Sequence, residues 1–566
     1  MPPRTAPHDV AIMGGGLAGL TLALQLKQRF ADIDVTVLER RRHPVPHAAH
    51  KVGESSVEIG AHYFDTVLGL KPHLQEAQLR KFGFRFFFSE GRRDIGQVTE
   101  IGASRYLSVA SYQIDRGIFE NYLAAEAARR GVRFIDGATV RRIELADAPH
   151  EPPGRSEGEY RSAAARRYSS EPHRLEWSRD DASTRETHTL EARWLIDACG
   201  RAGMLKRKLG LAEENGHDCH AVWFRIEDRL CIDDWCDDPD WRARCEPRSR
   251  WLSTNHLVGA GYWVWLIPLA SGSHSVGIVA DPRVHPLEGM DSFDKAMDWL
   301  ARWQPRLFDE LDRRRHLLQD FSFLRRFSYG CKQVFSQHRW AMTGEAGLFL
   351  DPFYSPGSDF IALGNTYICD LVAHDRAGHS LEARAQLYDQ IYHSFYESTL
   401  ALYRGQYALF GDPEVLPAKV LWDYSYYWGV LSQLFFHERL TDLALLGGLR
   451  GELEHCQRLN FAMQRFFRAW SALSARRNRP LMHDQAALPW FAELNRGLND
   501  RLDDAGFRRR VRASARLLER LAGEIVAQAR ADHPGLQVEG EWPAALDRPG
   551  PRDGGAPDAP ALFAAR

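Results

Sequence analysis

The stretch Val10-Ala11-Ile12-Met13-Gly14-Gly15-Gly16-Leu17-Ala18-Gly19 decides the fold class of this chain. Its first four residues are apolar and short enough for a buried strand, and a glycine turn follows at once. Leu20 to Phe30 then keeps helical spacing, and Val35-Thr36-Val37-Leu38 reads as a second strand ending at Glu39, twenty residues after Gly19. Strand, glycine turn, helix, strand and acid is the order of a dinucleotide site. Glycines let the backbone approach a pyrophosphate, the helix N-terminus receives its charge, and the carboxylate accepts hydrogen bonds from ribose hydroxyls. Gly14, Gly16, Leu17, Ala18 and Gly19 are the expected phosphate-side residues, with Glu39 and Arg40 on the ribose side. The fold class predicted is α/β, built on a Rossmann-like core.

The rest of the chain is organised around that core. Arg85 to Ser89 reads as a strand, Phe119 to Arg130 as a helix, and Arg193 to Ile196 as a strand running into Asp197-Ala198-Cys199-Gly200. Residues 147–190 are polar and aperiodic, a solvated loop or extended hairpin. Ala221 to Ile226, Tyr262 to Leu269 and Ser275 to Val279 are strand-like runs between turn residues, which predicts a mixed sheet layer. Beyond about residue 375 helical periodicity takes over. Leu459, Met463, Phe466, Trp470 and Leu473 share one helical face, as do Leu517, Leu518, Leu521 and Ile525. The expected division is a dinucleotide-binding core over 1–215 with a polar insertion near 147–190, a mixed sheet layer over 216–330, a return to the core over 331–375, a helical cap over 376–530 and a mobile tail over 531–566.

Composition limits the function classes. The 566 residues carry 73 Lys+Arg against 75 Asp+Glu, so nothing marks a nucleic-acid or anionic-membrane binder. No apolar run approaches the roughly eighteen residues of a membrane span, and the N-terminus lacks a signal-peptide pattern. Eight cysteines with no CxxC pair fit reduced thiols in a cytoplasmic protein, and the histidines show no metal-ligand spacing.

Two later motifs choose the dinucleotide. Leu195-Ile196-Asp197-Ala198-Cys199-Gly200 resembles the strand-end glycine motif of FAD-dependent monooxygenase-type flavoproteins. Met342-Thr343-Gly344-Glu345-Ala346-Gly347-Leu348-Phe349-Leu350-Asp351-Pro352 resembles their second FAD motif, with Glu345 where aspartate is usual. The resemblance implies FAD as cofactor, with Gly344, Glu345 and Pro352 among its contacts.

Tyr262-Trp263-Val264-Trp265-Leu266-Ile267-Pro268 matches WxWxIP, the signature of flavin-dependent halogenases, at all four fixed positions. Val52-Gly53-Glu54-Ser55 is similar to that family's VGE segment. Lys81-Phe82-Gly83-Phe84-Arg85-Phe86 resembles the segment carrying its active-site lysine, and Asp115-Arg116 with Phe119-Glu120 resembles a stretch near the flavin. Together these cover roughly residues 8–375. The resemblance implies that reduced FAD and oxygen oxidise chloride or bromide to hypohalous acid, and that Lys81 relays the halogen to an electron-rich ring. Burial would lower the lysine pKa toward a useful range. Lys51 and Lys71 lack the glycine–aromatic context. Reduced FAD would come from a separate NAD(P)H-dependent flavin reductase, since no second GxGxxG is present.

One segment departs from the family pattern. In Asp351-Pro352-Phe353-Tyr354-Ser355-Pro356-Gly357-Ser358, Tyr354 stands where tryptophan halogenases carry a glutamate, which points to a phenolic ring rather than free tryptophan. Pro356 has no N–H to offer a halide, leaving the amides of Gly357 and Ser358. The aromatic run Trp422, Tyr424, Tyr426, Tyr427, Trp428, Phe435 and Phe436 fits either a lining for a flat substrate or helix–helix core. The first reading is therefore a halogenase acting on a small phenolic substrate. The alternatives are an FAD monooxygenase on the same scaffold without halogenation, and a non-catalytic flavin-binding protein.

Overall fold

The computed structural model describes residues 7–47, 52–146, 171–181, 184–543 and 546. In chain order the strands used below are β1 (His8–Met13), β2 (Val35–Leu38), β3 (Phe84–Phe87), β4 (Glu100–Gly102), β5 (Arg133–Ile135), β6 (Ala138–Glu144), β7 (His173–Asp181), β8 (Thr184–Asp197), β9 (His220–Ile226), β10 (Thr254–Gly259), β11 (Tyr262–Pro268), β12 (His274–Ala280), β13 (Leu318–Leu324), β14 (Trp340–Met342) and β15 (Met482–Asp484). The helices are α1 (Leu17–Arg29), α2 (Glu58–His62), α3 (Arg116–Arg129), α4 (Gly357–Arg376), α5 (Glu382–Leu400), α6 (Leu416–Tyr426), α7 (Arg450–Leu473) and α8 (Asp504–Asp532).

The first sheet runs β5-β2-β1-β8-β7-β6, with β14 also paired to β8. Val10 to Met13 are buried between two parallel neighbours, Ile12 lying opposite both Val37 and Ile196. A strand covered on both faces tolerates a run without polar alternation, which is why the short apolar run is so readable. At its tip Gly14 has φ +106, and a Cβ there would sit 2.3 Å from the carbonyl oxygen of Ala198. A Cβ on Gly19 would fall 2.0 Å from the carbonyl oxygen of Gly14. Only glycines let α1 seat on the turn.

The strand into Asp197 is longer than Arg193 to Ile196. Its outer half pairs antiparallel with β7, from Thr184 opposite Asp181 to Ala192 opposite His173. The polar stretch thus ends in an extended hairpin, while residues 147–170 lie outside the described residues. Polar residues on the exposed face concealed the strand, because pairing there satisfies the backbone without burying both faces.

A second sheet, eight strands among the described residues, runs β13-β9-β12-β11-β10-β3-β4-β15. Alternation along β11 gives it two functions. Trp263, Trp265 and Ile267 join the large core shared with the dinucleotide unit, whereas Tyr262, Val264 and Leu266 join a separate core behind the sheet. The Trp265 indole is accommodated by its cross-strand partner Gly277, where a Cβ would lie 2.1 Å from Cζ2.

The C-terminal third is mainly helical, yet β15 returns from it to pair parallel with β4 at the edge of the second sheet. Leu459, Met463, Phe466 and Trp470 are buried against neighbouring helices, but Leu473, at the last residue of α7, is 48% exposed and leaves the predicted face. The expectation of a mobile tail from 531 is corrected at its start. α8 continues to Asp532, Leu536 is buried, and the Trp542 ring lies 5.9 Å from that of Phe466. Residues 547–566 lie outside the described residues.

Gly277→Ala forces a methyl into the Trp265 indole. Overpacking of this kind is expected to cost about 1–3 kcal/mol, read as a lower urea midpoint at unchanged slope. An unaltered midpoint would show that the indole can move aside.

Candidate active site between two cavities

A cavity of about 500 Å³ opens where the N-terminus of α1 meets the tryptophan face of β11. Gly16, Leu17 and Ala18 wall one end. α1 has no side-chain cap, so its first N–H groups face the space unpaired by the helix. A Cβ on Gly16 would meet nothing closer than 4.0 Å. Glu39 turns inward and accepts hydrogen bonds from the Gly15 and Arg41 amides at 2.6 and 2.7 Å. Arg41 is on the cavity wall, and its neighbour Arg40 is not.

The other predicted cofactor residues surround the same space. Arg116 hydrogen-bonds the Val52 carbonyl at 2.8 Å and pairs with Glu120, and its Nε is buried without a partner. Gly344, with φ +59, lies against Ala18, and Glu345 faces Arg201 at 3.9 Å across the opening. Pro352 is also on the wall. Uncapped amides, a glycine cradle and an orphaned guanidinium nitrogen suit a group with a pyrophosphate at one end and a flat ring at the other. Trp263 and Trp265 wall the far end. Trp263 donates to Tyr407 Oη at 3.1 Å, and that hydroxyl donates to Asp351.

Lys81 is only 3% exposed. Its ammonium donates to Ser55 Oγ at 2.9 Å and to the Ser56 carbonyl at 3.1 Å, and sits 3.4 Å from the Phe84 ring centroid. Burial lowers its pKa to about 7, with Glu58 and Asp359 pulling the other way. Ser55 is on the wall of the large cavity, and Phe84 is on the wall of a second, apolar one. The amine thus stands between the two. Lys71, at the start of a surface helix, has a side chain 59% exposed, and Lys51 lies outside the described residues.

The second cavity is lined by Phe84, Tyr354, Phe360, Tyr403, Tyr424 and Tyr427 among others. It shares Pro356 and Phe360 with the first. The aromatic run of the helical region therefore divides. Tyr424, Tyr426 and Tyr427 face the cavity, whereas Trp422 is core and donates to Asn460.

α4 begins at the junction. Pro356 occupies its N-cap position and accepts the Phe360 amide at 3.0 Å through its carbonyl. The missing proline N–H removes one donor, but the Gly357 and Ser358 amides are first-turn groups without intrahelical partners and line the large cavity. A Cβ on Gly357 would meet nothing within 4 Å.

Sequence reasoning missed the acids around Lys81. Asp359 accepts from the Gly60 amide at 2.8 Å and from Tyr427 Oη at 2.7 Å, and burial raises its pKa to about 8. Burial likewise raises that of Glu58. Asp423, on α6, accepts from Tyr354 Oη at 2.9 Å and pairs with Lys419 at 2.6 Å. Buried His217 also pairs with Asp351 at 2.7 Å, with Cys219 close by. Asp359 directly follows the Asp351–Ser358 segment and Glu58 lies three residues after Ser55, but no local pattern shows that they are buried beside Lys81. Lys419 and Asp423, four apart on a mainly apolar helix, offer a signal in the sequence.

Residues 12–77 match the family described as NAD(P)-binding Rossmann-like domain. A flavin-dependent halogenase of Dictyostelium discoideum, chlA, is 24% identical over 446 residues, covering 75% of this chain and 70% of its own length. The tetracycline 7-halogenase of Kitasatospora aureofaciens is 25% identical over 399 residues, covering 65% of this chain and 62% of its own length. In fold, halogenase PltM superposes with a TM-score of 0.59 at 16% identity over 93% of this chain and 96% of its own. The chain is thus similar in sequence to flavin-dependent halogenases and shares the fold of one. FAD is the cofactor this likeness carries, and the large cavity offers the groups to hold it. Among the described residues, no helix is long and apolar enough to cross a membrane.

The lowered pKa of Lys81 has a stability consequence. Between about 7 in the fold and the ordinary 10.5, the unfolded chain binds the extra proton. Wild-type stability should therefore climb with pH across that window relative to Lys81→Met, the full penalty of a buried charge being present below pH 7. Urea titrations of both proteins at several pH values check this. A difference that stays flat would place the amine near its ordinary pKa.

Proposed function

We propose that this enzyme halogenates an electron-rich, phenolic ring, using reduced FAD from a separate flavin reductase, oxygen and chloride or bromide, with Lys81 relaying the halogen. The observation that carries this reading is the position of Lys81. Its ammonium touches Ser55 on one cavity wall and the Phe84 face on the other.

Reduced FAD, when bound, supplies with oxygen the oxidation of halide to hypohalous acid. The chain's residues do the rest. Gly357 and Ser358 amides offer an anion two donors at the head of α4. The two cavities share Pro356 and Phe360, and Lys81 reaches a wall of each through Ser55 and Phe84. There a buried amine with pKa near neutrality hydrogen-bonds the hypohalous acid, or takes its halogen as the N–X bond forms and the X–O bond breaks. From the hydrogen-bonded acid, the ring attacks the halogen as the X–O bond breaks, and the ring proton leaves with the hydroxide as water. From the haloamine, water has already left with an amine proton, the C–X bond forms as the N–X bond breaks, and the ring proton returns to the Lys81 amine. A phenol suits this pocket because its own oxygen stabilises the ring cation, so no carboxylate is needed at Tyr354.

The test is mass spectrometry of a phenol panel incubated with the FAD-loaded enzyme, a flavin reductase, NADH, oxygen and either halide. The expected product shows a halogen isotope pattern. Lys81→Ala should lower its formation by about 10²–10⁴-fold, with FAD still bound by fluorescence. A product heavier by one oxygen, insensitive to halide and to Lys81, would replace this reading with a hydroxylase.

A further inference from the structure

The pocket beyond Phe84 is apolar over most of its wall, and two of its hydroxyls, those of Tyr354 and Tyr403, stand out chemically. Tyr403 is fully buried, and its Oη has no hydrogen-bond partner in the fold. A buried donor left unpaired is destabilising, and a ring without the hydroxyl would fill the same place. Its ring centroid lies 6.0 Å from that of Tyr354. Both side chains face the same cavity.

The Tyr354 hydroxyl is in a different state. It donates to Asp423 Oδ2 at 2.9 Å, the one direction open to it while that carboxylate is ionised. Asp423 is held there by Lys419, whose ammonium lies 2.6 Å from Oδ2, and by Gln464, whose amide donates to Oδ1 at 2.8 Å. With its hydrogen committed to Asp423, Tyr354 Oη presents lone pairs to the cavity. Tyr403, on the same wall, carries a hydroxyl hydrogen that no atom of the fold accepts. One acceptor and one donor therefore share a wall.

We propose that Tyr354 and Tyr403 form a subsite for a hydroxyl group of the aromatic substrate, with Asp423, Lys419 and Gln464 fixing the polarity of Tyr354. The substrate O–H donates to Tyr354 Oη and its oxygen accepts from Tyr403. A hydroxyl donates once and accepts at the same atom. An ether oxygen only accepts and a C–H does neither, so the pair selects hydroxyarenes over their ethers. The inference rests on the aromatic pocket being the substrate site, and it gives Tyr354 a positive function in place of the missing glutamate.

Calorimetric binding to the FAD-loaded enzyme tests it with resorcinol and 1,3-dimethoxybenzene as probes. Wild type should prefer resorcinol by about tenfold or more, and Tyr354→Phe and Tyr403→Phe should each bring the preference down to about twofold by weakening resorcinol. A preference near one in wild type, including binding of neither probe, overturns the subsite. So does a preference that survives in both variants. Tyr354→Phe leaves Asp423 bonded to Lys419 and Gln464 and is expected to fold. Tyr403→Phe should melt at the wild-type temperature or above, because it removes an unpaired group. A fall of several degrees would show that Oη has an internal partner and overturn its assigned part. Halide-dependent product formation by wild type decides halogenation independently. Tyrosine-dependent resorcinol binding without a halogenated product keeps the subsite and discards the halogenation reading.

Discussion

Taking an ammonium group out of water requires the protein to replace its hydration shell, and four separate segments do so around Lys81. Ser55 and the Ser56 carbonyl accept its hydrogens, Phe84 offers a ring face, and Glu58 and Asp359 set an opposing field. These groups come from the loop after residue 51, from β3, from α2 and from the first turn of α4. The loop is itself anchored by a buried ion pair between Glu54 and Arg225 of β9, which also binds Asp320. The dinucleotide unit, the second sheet and α4 thus meet at one amine, and its chemistry depends on all of them staying in register.

The same convergence separates two environments. On one side the cavity has backbone amides, glycines and charged side chains, the surroundings a phosphate-bearing cofactor needs. On the other it is ringed by tyrosines and phenylalanines. The interior hydroxyls, Asp359 and Asp423 give that side its directionality. β11 contributes to the division through its alternation, because tryptophans on one face can wall the large cavity only if Tyr262, Val264 and Leu266 fill the core behind it. Gly277 is part of that arrangement, since the indole of Trp265 occupies the volume a side chain there would take.

Local motifs were legible where their chemistry is contiguous. Gly14 and Gly19 are required by backbone approaches within a few residues of themselves, and the order of strand, turn and helix follows from that. Lys81 could be nominated from its glycine–aromatic setting, but its burial depends on Ser55, twenty-six residues away, and on Asp359, far along the chain. Arg41 rather than Arg40 faces the cofactor cavity because the chain turns sharply after Glu39, and composition does not encode that angle. The long hairpin of β7 and β8 was hidden for another reason. Its ribbon is buried along one face, at Leu175, Trp177 and Leu190, and the charged residues between them mask the alternation.

By itself the sequence determined the α/β class, the dinucleotide turn, the resemblance to flavin-dependent halogenases and the candidate lysine. Each is carried by residues close together in the chain, where spacing alone fixes geometry. Only the tertiary structure decided which aromatic residues line a pocket and which are core, and that Glu58 and Asp359 attend the lysine. It alone placed Asp423 behind Tyr354 and left the Tyr403 hydroxyl unpaired. Those facts arise where segments tens to hundreds of residues apart exclude water together, and the cost of burying a charge or a hydroxyl is set by neighbours that no local pattern names.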